Sequence, residues 1–120
     1  YKETWALQWP VYHLLIDLKH NGFKTAVLSN TIPAHVDIIR EYDGFAWFDA
    51  EFLSCELGLL KPDIQIYRQA VSLLKVKADS CIYIDDREEN ITPAERLGMK
   101  TILAKNPIQI DAEVRYLTKL

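Results

Sequence analysis

No run of apolar residues in this 120-residue chain approaches the roughly 18 that a membrane-spanning helix requires. The opening residues do not read as a secretory signal either. A basic cluster is also missing. The 14 lysines and arginines stand against 17 acidic residues for a net charge of −3, which argues against nucleic acid or an anionic membrane surface as the main partner. Cysteine is scarce: Cys55 and Cys81 lie in apolar company without metal-ligand spacing. They read as buried thiols in a reducing cytoplasm. The histidines, His13, His20 and His35, cluster neither with one another nor with the cysteines, so a zinc site is not expected. Repeats, low-complexity tracts and linkers are absent. What remains is 49% hydrophobic and 26% charged, and long enough to bury one core, so residues 1–120 read as a single globular domain.

Punctuation along the chain divides it into alternating helices and strands. Pro10 suits a first helical turn, and Val11, Leu14, Leu15 and Leu18 recur at helical spacing until Asn21-Gly22. Lys24 to Leu28 reads as a strand ending at Ser29-Asn30-Thr31. Pro33 opens a second helix with Val36 and Ile39, and a place for Ile38, on its inner face. Phe45 to Ser54 is ambiguous, since Phe48, Phe52 and Leu53 suggest a strand while the alternation is poor. Leu57 to Asp63 is a loop before a helix striped by Ile66, Tyr67, Ala70, Leu73 and Leu74. Cys81 to Ile84 is a strand running into Asp85-Asp86. A short helix near Thr92 to Gly98, a strand at Lys100 to Leu103 and an amphipathic helix carrying Ile110, Val114 and Leu117 complete the chain. Such alternation, with connections long enough for crossovers, predicts an α/β fold in which a parallel sheet is covered on both faces.

Three constellations carry chemistry. In an open α/β sheet, ligands collect beyond the carboxyl ends of the strands, where Asp85 and Asp86 fall. Two carboxylates about 4 Å apart repel by roughly 4 kcal/mol at an effective dielectric near 20, so a metal ion, a shared proton or a basic neighbour must relieve them. The bland alternative is a solvated turn, or helix caps balanced by Arg87. Asn90, four residues after Asp86, could add an oxygen ligand. Mg²⁺ takes oxygen ligands, commonly with only one or two protein carboxylates. For Asn90 the bland role is a helix cap. Ser29 ends an apolar strand as Asp85 does, and a hydroxyl beside backbone N–H groups there can hold a phosphate oxygen. Alternatively, Ser29 or Thr31 caps the next helix. Lys61 stands at the amino end of a predicted helix, where the dipole disfavours it unless an anion is present. Otherwise it is an exposed loop lysine.

Taken in order, Leu28-Ser29-Asn30, Leu60-Lys61-Pro62-Asp63 and Tyr83-Ile84-Asp85-Asp86-Arg87-Glu88-Glu89-Asn90 with Leu97-Gly98-Met99 resemble the second, third and fourth motifs of the haloacid dehalogenase-like (HAD) hydrolase superfamily. The blocks span roughly residues 10 to 105, and the ordered set is far more specific than any one member. The resemblance implies a Rossmann-like three-layer α/β/α core with catalysis at the carboxyl edge of the sheet. It implies that Ser29 hydrogen-bonds the transferring phosphoryl group and that Lys61 neutralises it. Asp86 becomes the direct Mg²⁺ ligand, and Asp85 is adjacent and acts through water. Asn90 stands where many members carry a further acid, and Asn30 and Thr31 help shape the phosphate loop.

One motif is missing. The family's first motif is a strand followed by Asp-x-Asp, whose first aspartate is the nucleophile and whose second is the general acid. Nothing before Ser29 qualifies: Asp17 sits in a helical pattern, and Asp49-Ala50-Glu51 comes too late. In the family that strand lies between those ending here at Ser29 and Asp85. The expectation is therefore the carboxyl part of a HAD core, with the nucleophile upstream of Tyr1 or on a companion chain, and with residues 1–9 as a cap remnant. Ser29 to Lys61 is too short for the alternative cap inserted there, so the substrate is not legible. The implied function is a cytoplasmic Mg²⁺-dependent phosphatase for a small phosphomonoester, inactive as these 120 residues alone. A metal-binding acidic pair serves phosphoryl transfer better than carbon–halogen displacement. A phosphomutase of the same family, or a non-catalytic Mg²⁺- or protein-binding module, remains as an alternative. A phosphoacceptor receiver domain is set aside, because its acidic pair comes early and its lysine late.

Overall fold

Pro10 lies in the first turn of α1 (Trp9–His20), and the helix ends where the periodicity predicts. The structure is a computed structural model that describes residues 9–120; the expected cap remnant at residues 1–9 lies outside them but for the backbone of Trp9. The chain forms two compact units, Tyr1–Gly58 and Leu59–Leu120.

In the first unit, α1 buries Leu14, Leu15 and Leu18, and Gly22 terminates it at φ +81°, a left-handed value that costs glycine little. β1 (Ala26–Ser29) follows, then α2 (Pro33–Glu41), then β2 (Ala50–Leu53). β2 pairs parallel to β1, with Ala26 opposite Ala50 and Ser29 opposite Leu53. The ambiguous segment is thus a strand only over Ala50–Leu53, and Phe48 lies before it. Its alternation fails because neighbouring Phe52 and Leu53 are both buried, as on a strand covered on both faces. Asp49 fastens its start: the Asp49 amide donates to the Thr25 carbonyl (2.8 Å), and Asp49 Oδ2 accepts from the Thr25 amide (2.7 Å). Val36 and Ile39 of α2 face inward, whereas Ile38 is exposed, so only two of the three aliphatics expected on that face belong to it. One turn of helix, α3 (Ser54–Leu57), closes the unit.

The second unit begins with α4 (Ile64–Leu74), capped by Asp63, whose Oδ1 accepts from the Gln65 amide at 2.9 Å. Ile66, Tyr67 and Ala70 are buried, but Leu73, expected on the same stripe, is 56% exposed. β3 (Ile82–Asp85), α5 (Glu88–Arg96) and β4 (Lys100–Leu103) form a parallel β–α–β crossover, with Ile82 opposite Lys100 and Asp85 opposite Leu103. α5 starts four residues earlier than the apolar spacing predicts, directly behind the acidic pair. α6 (Pro107–Thr118) opens on a full capping box between Asn106 and Gln109. Among the described residues each unit thus holds a two-stranded parallel sheet, β1 with β2 and β3 with β4. One expectation fails: Cys55 is exposed and Cys81 half-buried, because Cys55 sits on the short α3 with only Ser54 of that turn turned inward. Among the described residues no helix is long and apolar enough to cross a membrane.

Candidate active site

β3 delivers Asp85 at its last position, where the chain turns into α5 and burial falls away. Asp85 is 9% exposed, whereas Asp86 is exposed. The buried carboxylate accepts four hydrogen bonds, three of them on one oxygen. Asp85 Oδ2 accepts from Lys61 Nζ at 2.7 Å, from the Tyr83 hydroxyl at 2.7 Å and from Asn90 Nδ2 at 3.3 Å. Oδ1 accepts from the Arg87 amide at 3.0 Å. Burial by itself would raise the Asp85 carboxyl. The hydrogen bonds from Lys61 and Tyr83, the ammonium charge and the Arg87 amide outweigh it and hold the group down at about 2. Burial, and then the bond to Asp85, push the Tyr83 phenol far above its usual range.

The bland alternatives for these residues do not hold. Lys61 is no exposed loop lysine: its side chain is only 12% accessible and it lies in a buried ion pair. Asp63, two residues on, caps α4, so Lys61 is turned to the carboxylate instead. Arg87 does not balance the acidic pair, since its guanidinium goes to Glu89 at 2.7 Å. Asn90 is the third residue of α5, is 5% exposed, and gives its amide nitrogen to Asp85; it is not a cap. Asp86 makes no side-chain hydrogen bond or ion pair to any described residue, so its carboxylate stands available at the strand end. That is one committed and one uncommitted hard-oxygen donor side by side, which suits a cation that keeps much of its water. No group of three His, Cys, Asp or Glu side chains gathers among the described residues.

In the other unit, Ser29 ends β1 half-buried and Asn30 is exposed. Neither Ser29 nor Thr31 caps α2: the cap position is Ile32, without any side-chain bond. The turn is held from the first residue of α3. The Thr31 amide donates to Ser54 Oγ at 2.8 Å, and Ser54 Oγ donates to the Thr31 carbonyl at 3.0 Å. Thr31 Oγ1 is buried with no partner among the described residues. Asp49, the misplaced Asp-x-Glu, is spent on Thr25 at the amino end of β1, the opposite end from Ser29, and Asp17 lies in α1. Neither is a nucleophile at the strand ends.

Lys61, Asp85 and Asn90 are therefore brought into one cluster with Asp86 beside it, and Ser29 and Asn30 occupy the corresponding strand end of their own unit. Three contributors carried no flag in the sequence. Tyr83 could have been found from alternation, because residues two apart on a strand share a face. Tyr67 and Ser54 bond to partners 23 positions away, and nothing local marked those bonds.

A model of the haloacid dehalogenase-like hydrolase family matches residues 1–98. The bifunctional epoxide hydrolase 2 of Mus musculus is 32% identical over 117 residues, which cover 91% of this chain but 21% of that protein. The glyceraldehyde 3-phosphate phosphatase of Methanocaldococcus jannaschii is 33% identical over 91 residues, covering 73% of this chain and 40% of that protein. A HAD family enzyme of Bacteroides thetaiotaomicron, solved as a magnesium complex, superposes with a TM-score of 0.71 at 26% identity, covering 79% of this chain and 51% of the other. The chain thus spans about a fifth to two fifths of these curated relatives and about half of the solved enzyme.

Proposed function

The chain belongs to the haloacid dehalogenase-like hydrolase family, and from that premise we propose that it is the phosphoryl-handling part of a Mg²⁺-dependent phosphatase acting on a small phosphomonoester. The observation that carries the proposal is the buried Lys61–Asp85 pair at 2.7 Å with the uncommitted Asp86 next to it. A purely structural ion pair needs no second, exposed carboxylate at the strand end. A phosphatase needs a lysine held in place by one acid and a cation held by another. The archaeal phosphatase and the magnesium-bound bacterial enzyme support the same reading.

In this proposal Asp86 is the direct metal-binding carboxylate, Asp85 the adjacent one, and Asn90 fixes Asp85 in the first turn of α5. A bound Mg²⁺ draws off charge that builds on the phosphoryl oxygens and fixes their orientation. Lys61, pinned by Asp85, presents its positive charge to the same anion. The Ser29 hydroxyl and the backbone N–H groups of the Asn30–Thr31 turn supply hydrogen bonds to phosphoryl oxygens. None of these groups is a nucleophile. The attacking carboxylate comes from a strand-Asp-x-Asp motif outside these 120 residues.

The test uses p-nitrophenyl phosphate with Mg²⁺. The 120-residue chain is expected to show no turnover. The protein extended by the sequence encoded before Tyr1 is expected to be active, and Asp86→Ala or Lys61→Ala in it should remove activity at least a hundredfold. Turnover by the 120 residues alone, or an active Asp86→Ala enzyme, would overturn the proposal.

A further inference from the structure

Tyr83 and Asp85 lie two residues apart on β3 and so face the same side of the strand. A phenylalanine would fill the same space. The hydroxyl instead reaches Asp85 Oδ2 at 2.7 Å, the oxygen that also holds Lys61 at 2.7 Å. Tyr83 is itself fixed. The fully buried Tyr67 ring of α4 meets it edge-on, with centroids 5.3 Å apart and planes at 70°. The Tyr67 hydroxyl donates to the Asn90 carbonyl at 2.7 Å. Helix α4, which follows Lys61, and helix α5, which follows the acidic pair, are thus joined through two tyrosines that both end at the site.

Counting donors shows what this does. Each carboxylate oxygen offers about two lone-pair positions; Asp85 Oδ2 is crowded by three donors, Lys61, Tyr83 and Asn90, while Oδ1 takes the Arg87 amide. Asp86 receives none from the described side chains. Two chemically identical neighbours are therefore made unequal by what surrounds the first of them. We propose that Tyr83, backed by Tyr67, is a positioning residue that commits Asp85 to Lys61 and so leaves Asp86 as the carboxylate for the divalent cation. The inference rests on the phosphatase reading and deepens it, because it names what divides the labour between the twin acids.

The signature is an opposition that simple damage to the fold does not produce. In Tyr83→Phe, Oδ2 loses one of its three donors, which leaves the Asp85 carboxylate freer to turn and compete as a ligand and loosens its hold on Lys61. Mg²⁺ alone, titrated by calorimetry into the active, amino-terminally extended protein, is expected to bind three- to tenfold more tightly than to the wild type. In the same variant kcat is expected to fall about tenfold with KM within twofold. Tyr67→Phe keeps the ring but frees the Asn90 carbonyl, and should shift both quantities in the same directions by two- to threefold. It serves as the test if Tyr83→Phe fails to fold. Wild-type values for both quantities, or weaker binding together with lower turnover, overturn the proposal. Asp86→Asn separates the two readings. If it still binds Mg²⁺ and turns over, the phosphatase site itself is misassigned. If it is inert while Tyr83→Phe behaves as wild type, only the role of Tyr83 fails.

Discussion

Lys61 Nζ lies 2.7 Å from Asp85 Oδ2 across 24 positions of sequence, with the two side chains 12% and 6% accessible. At that burial, removing one partner leaves an uncompensated charge, which typically costs about 3 kcal/mol, whereas removing both is much cheaper. Lys61→Met and Asp85→Asn should each lower the stability of the chain by about 2–3 kcal/mol in urea titrations. The Lys61→Met/Asp85→Asn double variant should lose less than the sum of the two. Strict additivity would mean that the ion pair does not form in solution.

The same carboxylate sets an acid limit. Asp85 titrates at about 2 in the folded chain against an ordinary value of 3.8. A depressed carboxyl favours the folded state fully above its unfolded value. That contribution drains away as pH falls toward the folded value. Stability should therefore decline by about 2 kcal/mol between about pH 4.5 and 2 from this group alone. Denaturant titrations at intervals of half a pH unit, with chelator present, should show a shallower decline in Asp85→Asn. An equally steep acid limb in that variant would assign the loss to other carboxylates.

Ser54 makes both backbone hydrogen bonds of Thr31, at 2.8 Å and 3.0 Å, and is itself 6% exposed. Ser54→Ala leaves a part-buried N–H and C=O unpaired, at a cost of about 2 kcal/mol. Amide hydrogen exchange should register it locally. The Thr31 amide is expected to exchange at least tenfold faster, while Leu14 and Leu15 of α1, on an element with no bond to Ser54, keep their protection. Unchanged exchange at Thr31 would show that the Ser29–Thr31 turn holds itself.

How far the residues announced this arrangement depended on whether the cause was local. Pro10, Gly22 and Asp63 punctuate helices through their own backbone chemistry, and those boundaries stand as read. Repulsion between Asp85 and Asp86 called for a counter-charge, but the motif blocks assigned Lys61 to a phosphoryl anion, and only the fold shows it paired with Asp85. β2 was obscure because a strand covered on both faces loses the alternation that would mark it, and Phe52-Leu53 is such a case. Leu73 has helical spacing but is exposed, since periodicity identifies a face without saying how wide a stripe the core covers. Ser54 looked like any serine after an apolar run, and only the parallel register of β1 and β2 brings it to Thr31.

Thr31 offers the sharpest contrast between folding and function. Its Oγ1 is buried without a partner among the described residues, which is costly unless something else satisfies it. Its N–H and C=O are already held by Ser54, so the side chain can be changed without disturbing the turn. Valine has nearly the same shape and no hydroxyl. If the orphaned oxygen serves only the fold, Thr31→Val should be stabilising by about 1 kcal/mol and otherwise silent. If the turn cradles a phosphoryl group, the variant should gain that stability and also bind inorganic phosphate several-fold more weakly, read as a higher inhibition constant in the active, extended protein. The second outcome is the one expected, because an unpaired buried hydroxyl at a strand end is a cost that folding alone gives no reason to keep. A variant less stable than wild type would show instead that the hydroxyl already has a partner in solution, and the turn would lose its strongest mark as a ligand loop.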